Sequence, residues 1–351
     1  MIRVQCFALY GPLAASTRYR LEQYAPGLRS FGIELQVAYL LGNDYLSRRF
    51  SEKKTPALGL LRSGIARLAE LAVLHKCDAA IVHCELLPLV PGWLERTLLQ
   101  KPYLYDFDDA FYLRYQRGKL AALKPLLGNK FAQFIKGASA VTAGNGELAR
   151  YAGQFNRRTK ILPTVVDITH HVPNRKHKSN IFTVGWIGSP STAPFLEQIV
   201  GSLVRLANEG PVRLVVVGGR PPVVSGAEVI SLPWSEKTEI ELINSFDVGV
   251  MPLPDNEWSR GKCAFKLIQY MACGVPVIGS AVGANNEVVT PDCGYLASND
   301  DDWLHALRAF RDNPSERTHA GEAGRQRVAE NYSLQIALPQ MATAILGITG
   351  R

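Results

Sequence analysis

The sequence predicts an α/β protein of two doubly wound halves joined by a linker. Three observations predict it. The chain has 351 residues, long for one average domain and suited to two. Strand-like apolar runs alternate with helical patterns along its length, as in a parallel sheet covered by helices. One polar, basic stretch near the middle breaks the alternation.

In the first half the strand-like runs are IRVQCFAL (2–9), IELQVAYL (33–40), AAIVHC (79–84), PYLYDF (102–107), SAVTAG (139–144) and TKILPT (159–164). Helical stretches lie between them, including one from Tyr19 to Phe31 and one from Ala57 to His75. From Ile168 to Asn180 the pattern lapses into ITHHVPNRKHKSN, which reads as the linker. The second series is FTVGWIG (182–188), RLVVVGG (213–219), AEVISL (227–232), VGVMPL (248–253), PVIGS (276–280) and GYLA (294–297). The last segment, NYSLQIALPQMATAILGI, is an apolar-faced helix with Pro339 inside it, where a kink is expected. The expected domains are 1–167 and 181–332 with a linker at 168–180, and a terminal helix of about 333–351 suited to packing back on the first half. Two such halves leave a cleft at the strands' carboxyl ends, where ligands bind in open α/β sheets.

The composition is globular: 47% hydrophobic, 20% charged, with no low-complexity tract. A net charge of +8 fits an anionic ligand, an anionic membrane surface or a nucleic acid. Nucleic acid is the weakest of these, because the cations are scattered and no RNA-binding motif is present. Six cysteines without a CxxC pair or zinc-like spacing read as reduced core residues. MIRVQCFALYG runs directly into a strand without a signal-peptide pattern, and no apolar run is long enough to span a membrane. A cytoplasmic location is expected, with surface attachment to a membrane left open.

The segment RGKCAFKLIQYMACGVPVIGS (260–280) carries the sharpest chemistry. Its helix is expected to start near Cys263 and end at Gly274 in a left-handed cap. Lys262, Lys266, Gln269 and Cys273 then share one face, opposite the core-facing Ala264, Leu267, Ile268 and Met271. Cations at a helix N-terminus oppose the dipole. A bound anion reverses that argument, since N–H groups, dipole and the cations Arg260, Lys262 and Lys266 would converge on it. A solvated helix end is the plainer alternative.

The loop GWIGSPSTAPF (185–195) places Gly188 and Ser189 before a helix start. Neither GxGxxG nor GxxxxGK[ST] occurs, so dinucleotide and P-loop readings lose ground. In YGPLAASTRYR (10–20), Gly11 and Pro12 make a turn, and Arg18 and Arg20 are either surface charges or contacts to an anion. YDFDDAFY (105–112) places Asp106, Asp108 and Asp109 at the end of a buried strand among aromatics. Hard cations need six or more oxygens, and no second carboxylate cluster is evident, so metal binding fits less well than a polyhydroxylated ligand. His83 reads first as a core histidine, and Glu85, beside a Leu-Leu-Pro turn, is expected to point into the cleft.

FKLIQYMACGVPVIGSAVGANNEVV (265–289) resembles the donor-binding segment of the retaining glycosyltransferases of family 4, or group 1, which have the GT-B fold. DAAIVHCELLP, YLYDFDDAFY, ASAVTAGNGELARYA, ILPTVVD, GWIGSPST and DVGVMPLPDNEWSRGK follow in the order that fold requires. The resemblance covers most of the chain, and 262–289 is its specific part. It implies two Rossmann-like domains facing across a cleft, a nucleotide-diphosphate sugar held by the second and an acceptor by the first. It also implies transfer with retention, no cofactor beyond the sugar nucleotide and no metal.

By this resemblance Lys266, Arg260 and Lys262 grip the diphosphate, and Gly188 and Ser189 approach it from the other wall. The backbone around Pro233 and Trp234 faces the base. Asp106 falls where many relatives place a histidine near the reacting sugar, which makes Asp106 and Asp108 the catalytic candidates. Gly11, Arg18, Glu85 and Asp109 are the acceptor-side candidates. The usual pair of glutamates eight residues apart is replaced by Gly261 and Gln269. Gln269 lacks the charge for a strong ribose grip, and Asp255 or Glu257 is left to meet the sugar hydroxyls. Glu287 is a helix-start residue first and a ligand contact second.

The expected function is sugar transfer from a UDP- or GDP-sugar to a glycan or lipid-linked acceptor, in cell-surface polysaccharide or glycoconjugate synthesis. A catalytically silent sugar-nucleotide or glycan-binding subunit and a nucleotide-sugar epimerase are the alternatives. RRFSEKK (48–54) precedes ALGLLRSGIARLAELAVLHK, with Arg62 and Arg67 on its more polar side. That basic amphipathic helix suits either the inner face of the plasma membrane, where a lipid-linked acceptor would wait, or its own sheet.

Overall fold

The computed structural model describes residues 1–350 except 52, 54–55 and 175–180. The end of the expected linker and part of RRFSEKK lie outside the described residues. The chain forms two compact units. The first holds Met1–Val165, Gly261–Cys263 and Leu334–Arg351, and the second holds Val166–Arg260 and Ala264–Ser333.

The first unit is built on a parallel sheet of β1 (Ile2–Tyr10), β2 (Ile33–Leu41), β3 (Ala79–His83), β4 (Tyr103–Phe107), β5 (Ala140–Ala143) and β6 (Thr159–Ile161). Its order is β2-β1-β3-β4-β5-β6. β3 and β4 are buried at every position, which is why both read as unbroken apolar runs rather than alternating ones. The helix Leu334–Thr349 belongs to this unit, and its Ala337, Met341, Ala342 and Ile345 share a core with Val4, Leu28 and Leu104. The stretch 19–31 is a chain of short turns rather than one helix, broken after Arg20 and again around Ala25.

The second unit repeats the plan with β7 (Phe182–Ile187), β8 (Val212–Val217), β9 (Glu228–Leu232), β10 (Val248–Met251), β11 (Val277–Ser280) and β12 (Gly294–Ala297). The order is β12-β11-β10-β7-β8-β9, all parallel. The chain reverses its winding between β1 and β3 in the first sheet and between β7 and β10 in the second. A crevice opens beyond the carboxyl ends of strands at such a reversal, and the candidate residues are found there.

The helix Phe265–Ala272 follows β10, and it differs from expectation at its start. Ala264 adopts a left-handed backbone (φ 53°), so helical geometry begins at Phe265 and Lys262 lies outside the helix. Leu267 through Ala272 are all buried, Gln269 included, so this helix is interior and has no solvated polar face.

Candidate functional site

In the first unit, strand register assembles a polar row. His83 pairs with Asp106, and Asp106 with Thr142, so neighbouring strands present all three side chains on one face. Asp106 is fully buried, and both oxygens are spoken for. Arg20 donates to it from Nε (2.8 Å) and Nη2 (2.5 Å), Thr142 donates its hydroxyl (2.6 Å), and His83 Nδ1 lies 2.8 Å away. Burial alone would raise this carboxyl, but the Arg20 guanidinium and the His83 contact hold it well below the usual carboxylate range. Asp106, a catalytic candidate from sequence, therefore has no face left for a substrate. Its carboxylate instead orients His83.

That pairing fixes the histidine. The ionised Asp106 accepts from Nδ1–H, which turns the Nε2 lone pair toward Cys84 Sγ (3.3 Å) and Asp108 Oδ1 (3.8 Å). Asp108 keeps 14% of its side chain exposed, and burial raises its pKa above the usual carboxylate value despite His83 and Arg20. His83 Nε2 and Asp108 Oδ1 thus face each other across 3.8 Å. Burial also pushes the Cys84 thiol up, so it stays protonated beside them. Among the described residues, His83, Cys84 and Asp108 also place one ligand atom each within 4.8 Å of one another, close enough to hold a metal ion.

The other acceptor-side candidates sit differently from expectation. Glu85 turns inward, not toward a cleft. Lys130 Nζ lies 2.7 Å from its Oε1, Arg114 donates at 2.7 Å, and the Tyr115 hydroxyl donates at 2.6 Å. A buried carboxylate is stable only when paired, and Lys130, itself buried between Glu85 and Glu95, supplies the pairing. Asp109 meets Lys262 at 3.2 Å, within the first unit, and Lys262 precedes the helix Phe265–Ala272 rather than lying on its face. Asn145 holds this short segment by donating to the carbonyls of Gly261 and Lys262 at 3.0 Å each. Gly11 follows β1 and donates its N–H to Leu41 O, and a side chain there would strike Asn43. Arg18 is buried and braces this turn through Pro12 O (2.6 Å).

In the second unit, Gly188, Gly218, Trp234 and Lys266 come together beyond the ends of β7 and β8. A Cβ at Gly188 would lie 2.7 Å from Lys266 Cε, and Lys266 Nζ stands 5.4 Å from the Trp186 ring centre. Gly218 is left-handed (φ +82°), and a Cβ on it would meet the Gly188 carbonyl and, at 2.9 Å, Trp234 Cβ. Trp234 is oriented by its indole N–H, which donates to Glu239 at 2.9 Å. Ser189 hydrogen-bonds Ser191 (2.8 Å), and its carbonyl accepts the N–H groups of Thr192 and Ala193. Arg260 makes a two-pronged pair with Asp255 at 2.7 and 3.0 Å, so one of the two residues left to meet sugar hydroxyls, Asp255, is itself engaged. Glu287 lies in the short helix Asn285–Val288, as its helix-start assignment requires.

Gly218→Ala is expected to destabilise the second unit by about 1–3 kcal/mol and to disturb the loop after β7, because left-handed strain adds to a backbone collision. Gly226→Ala, also at φ +82° but without a close backbone contact, should carry the strain alone. Thermal unfolding of the two variants, with nucleotide binding as the second readout, separates these effects.

Residues 178–313 match the family model described as "Glycosyl transferases group 1". No curated protein matches the chain. The fold aligns with Anabaena HepE in complex with UDP-glucose at TM-score 0.74 and 14% identity, over 98% of this chain and 99% of that one. Sucrose-phosphate synthase of Thermosynechococcus elongatus aligns at TM-score 0.71 and 14% identity over the whole of both chains. WaaG, a glycosyltransferase involved in lipopolysaccharide biosynthesis, aligns at 0.68 and 17% over 99% of this chain and 100% of that one. The second unit is therefore similar to group 1 glycosyltransferases over residues 178–313, on a chain with the GT-B fold.

Proposed function

We propose that this protein transfers a sugar from a nucleotide-diphosphate sugar to a hydroxyl acceptor, with retention of configuration and without a metal ion. The observation that carries the reading is Lys266, whose side chain lies against Gly188 at the exit of β7, inside the matched domain. A cation beside small residues at a strand-order reversal suits a diphosphate, and a fixed ammonium can offset the charge of the leaving group without Mg²⁺. Trp234, held by Glu239 next to Gly218, would flank the base.

In the reaction the anomeric carbon–oxygen bond to the diphosphate breaks, and the acceptor hydroxyl attacks the same face. The acceptor's proton passes to the departing phosphate oxygen, so no enzyme nucleophile is required. The first unit would receive the acceptor, with Asp108 accepting a hydrogen bond from a hydroxyl other than the attacking one and His83, aligned by Asp106, beside it. UDP-sugars lead as donors because UDP-glucose and UDP are what the HepE structures hold, with GDP-sugars next. A glycan or lipid-linked acceptor, and a place in cell-surface glycoconjugate synthesis at the cytoplasmic face, complete the reading.

The silent-subunit alternative rests on Gln269 and Gly261, which stand where glutamates are usual. Product analysis decides between them. With UDP- and GDP-sugars, an acceptor panel and EDTA, the expected product is a glycoside whose anomeric proton coupling matches that of the donor. An inverted product or an absolute need for Mg²⁺ contradicts the mechanism. An isomerised sugar nucleotide without transfer points to the epimerase, and binding without turnover to the silent subunit.

A further inference from the structure

The helix Ala57–Ala72, between β2 and β3, turns its apolar stripe outward. Leu58, Leu61, Ile65 and Leu68 are 59, 61, 59 and 50% exposed. Their spacing of three, four and three residues places them along one line of the helix surface. Only Arg67 and Leu71 of the helix are buried. This is the reverse of a helix laid on its own sheet by its leucines.

The cause lies in Arg67. Its guanidinium Nη2 donates to Ala8 O (2.8 Å) and Ala38 O (3.3 Å), and the group stands 4.9 Å from the Phe7 ring centre. Rotating the helix to bury the leucines would pull this cation from the carbonyls of β1 and β2. The outward stripe is therefore fixed by an inward arginine.

The surrounding charge selects the partner. Arg62 is exposed on the helix, and the preceding helix, Asn43–Phe50, ends in exposed Arg48, Arg49 and Phe50. The helix's own acid, Glu70, is 3.4 Å from Arg67. Asp44 is the other described acid of this stretch and lies at the far end of the preceding helix. A second copy of the chain would need opposite charges beside the stripe to set its pairing, and Ala57, Arg62, Gly64 and Ala69 offer none. Leucines edged by arginines, with no acid beside the stripe among the described residues, match an anionic lipid surface. No described helix is long and apolar enough to cross a membrane, so contact would be with one face.

We infer that this face docks on an anionic phospholipid surface. The leucine stripe enters the boundary of the acyl chains, and Arg48, Arg49 and Arg62 sit at the level of the phosphates. Docking requires no sugar transfer, so it stands or falls apart from the transferase reading. It does supply that reading with a setting, since a lipid-linked acceptor would be met at the same surface.

The test is co-sedimentation of the full chain with vesicles of phosphatidylcholine alone or mixed with phosphatidylglycerol. Binding is expected to the mixed vesicles and to weaken as salt rises. Leu61→Glu with Ile65→Glu should lower the partition by roughly tenfold or more, and so should Arg48→Glu with Arg49→Glu. Both pairs are on the exposed surface, so circular dichroism and nucleotide binding should match wild type. Absence of binding to mixed vesicles overturns the inference, as does binding that neither pair weakens. A dimer in sedimentation velocity that Leu61→Glu dissolves, without vesicle binding, assigns the stripe to a second copy and also overturns it.

Discussion

Asp106→Asn is expected to destabilise the first unit by about 3–5 kcal/mol, the cost of leaving a buried charge without its partner. Arg20 is as deeply buried as the carboxylate it grips, and its remaining Nη1 bonds run to Leu162 O and Thr164. An asparagine would direct an N–H₂ group at one of three donors, Arg20, Thr142 or His83, that now find an acceptor. Urea unfolding followed by fluorescence measures the loss. A change below about 1 kcal/mol would mean that the pair is not the brace described here.

The pH dependence has a definite sign. Asp106 has a folded pKa below its unfolded one, so its stabilisation is present above the unfolded value, near 4, and is lost as pH falls below that. The acid limb of stability should therefore flatten in Asp106→Asn. Replacing both partners with apolar residues, as Arg20→Met with Asp106→Leu, should recover much of the stability, because no charge is then stranded. It should not recover transfer activity, because His83 would lose the carboxylate that sets its tautomer. That split distinguishes a positioning role from a merely structural one.

The second large effect is expected at Lys266. Lys266→Ala should weaken nucleoside diphosphate binding by roughly 10- to 100-fold, the worth of a hydrogen bond from a charged donor. Lys266→Arg should retain more of the affinity, since charge and reach persist. The substitution should cost little stability, because Lys266 is half-buried rather than interior, and thermal unfolding checks this.

The architecture was legible because it is carried by local pattern. The twelve strands among the described residues all fall on the apolar runs read from the sequence, and β3 and β4 stand out because both faces are covered. The fate of individual charges was much less legible. Asp106 is decided by Arg20, 86 residues earlier, and Glu85 by Lys130, 45 residues later. No window on the sequence contains such a pair. One signal was available: Asp106 lies inside an otherwise apolar strand, and a carboxylate there must be paired rather than offered to solvent. The same reasoning would have drawn His83, on the adjacent strand, out of its assignment as an ordinary core residue.

The helix Phe265–Ala272 failed for a different reason. Periodicity placed Lys262 on its polar face, but a single left-handed residue, Ala264, delays the helix and removes that lysine from it. A positive φ at alanine leaves no mark in composition or spacing. Arg67 shows the same limit in reverse. Its helix reads as amphipathic with arginines on the polar side, yet the buried side is the one that holds an arginine.

The metal-free diphosphate site at Lys266 is best checked by calorimetric titration of UDP and of GDP, in EDTA, into wild type and Lys266→Ala. One nucleotide is expected to bind wild type without metal and to bind the variant at least roughly tenfold more weakly. Failure of both to bind wild type, binding only when Mg²⁺ is restored, or equal binding by the variant would contradict it.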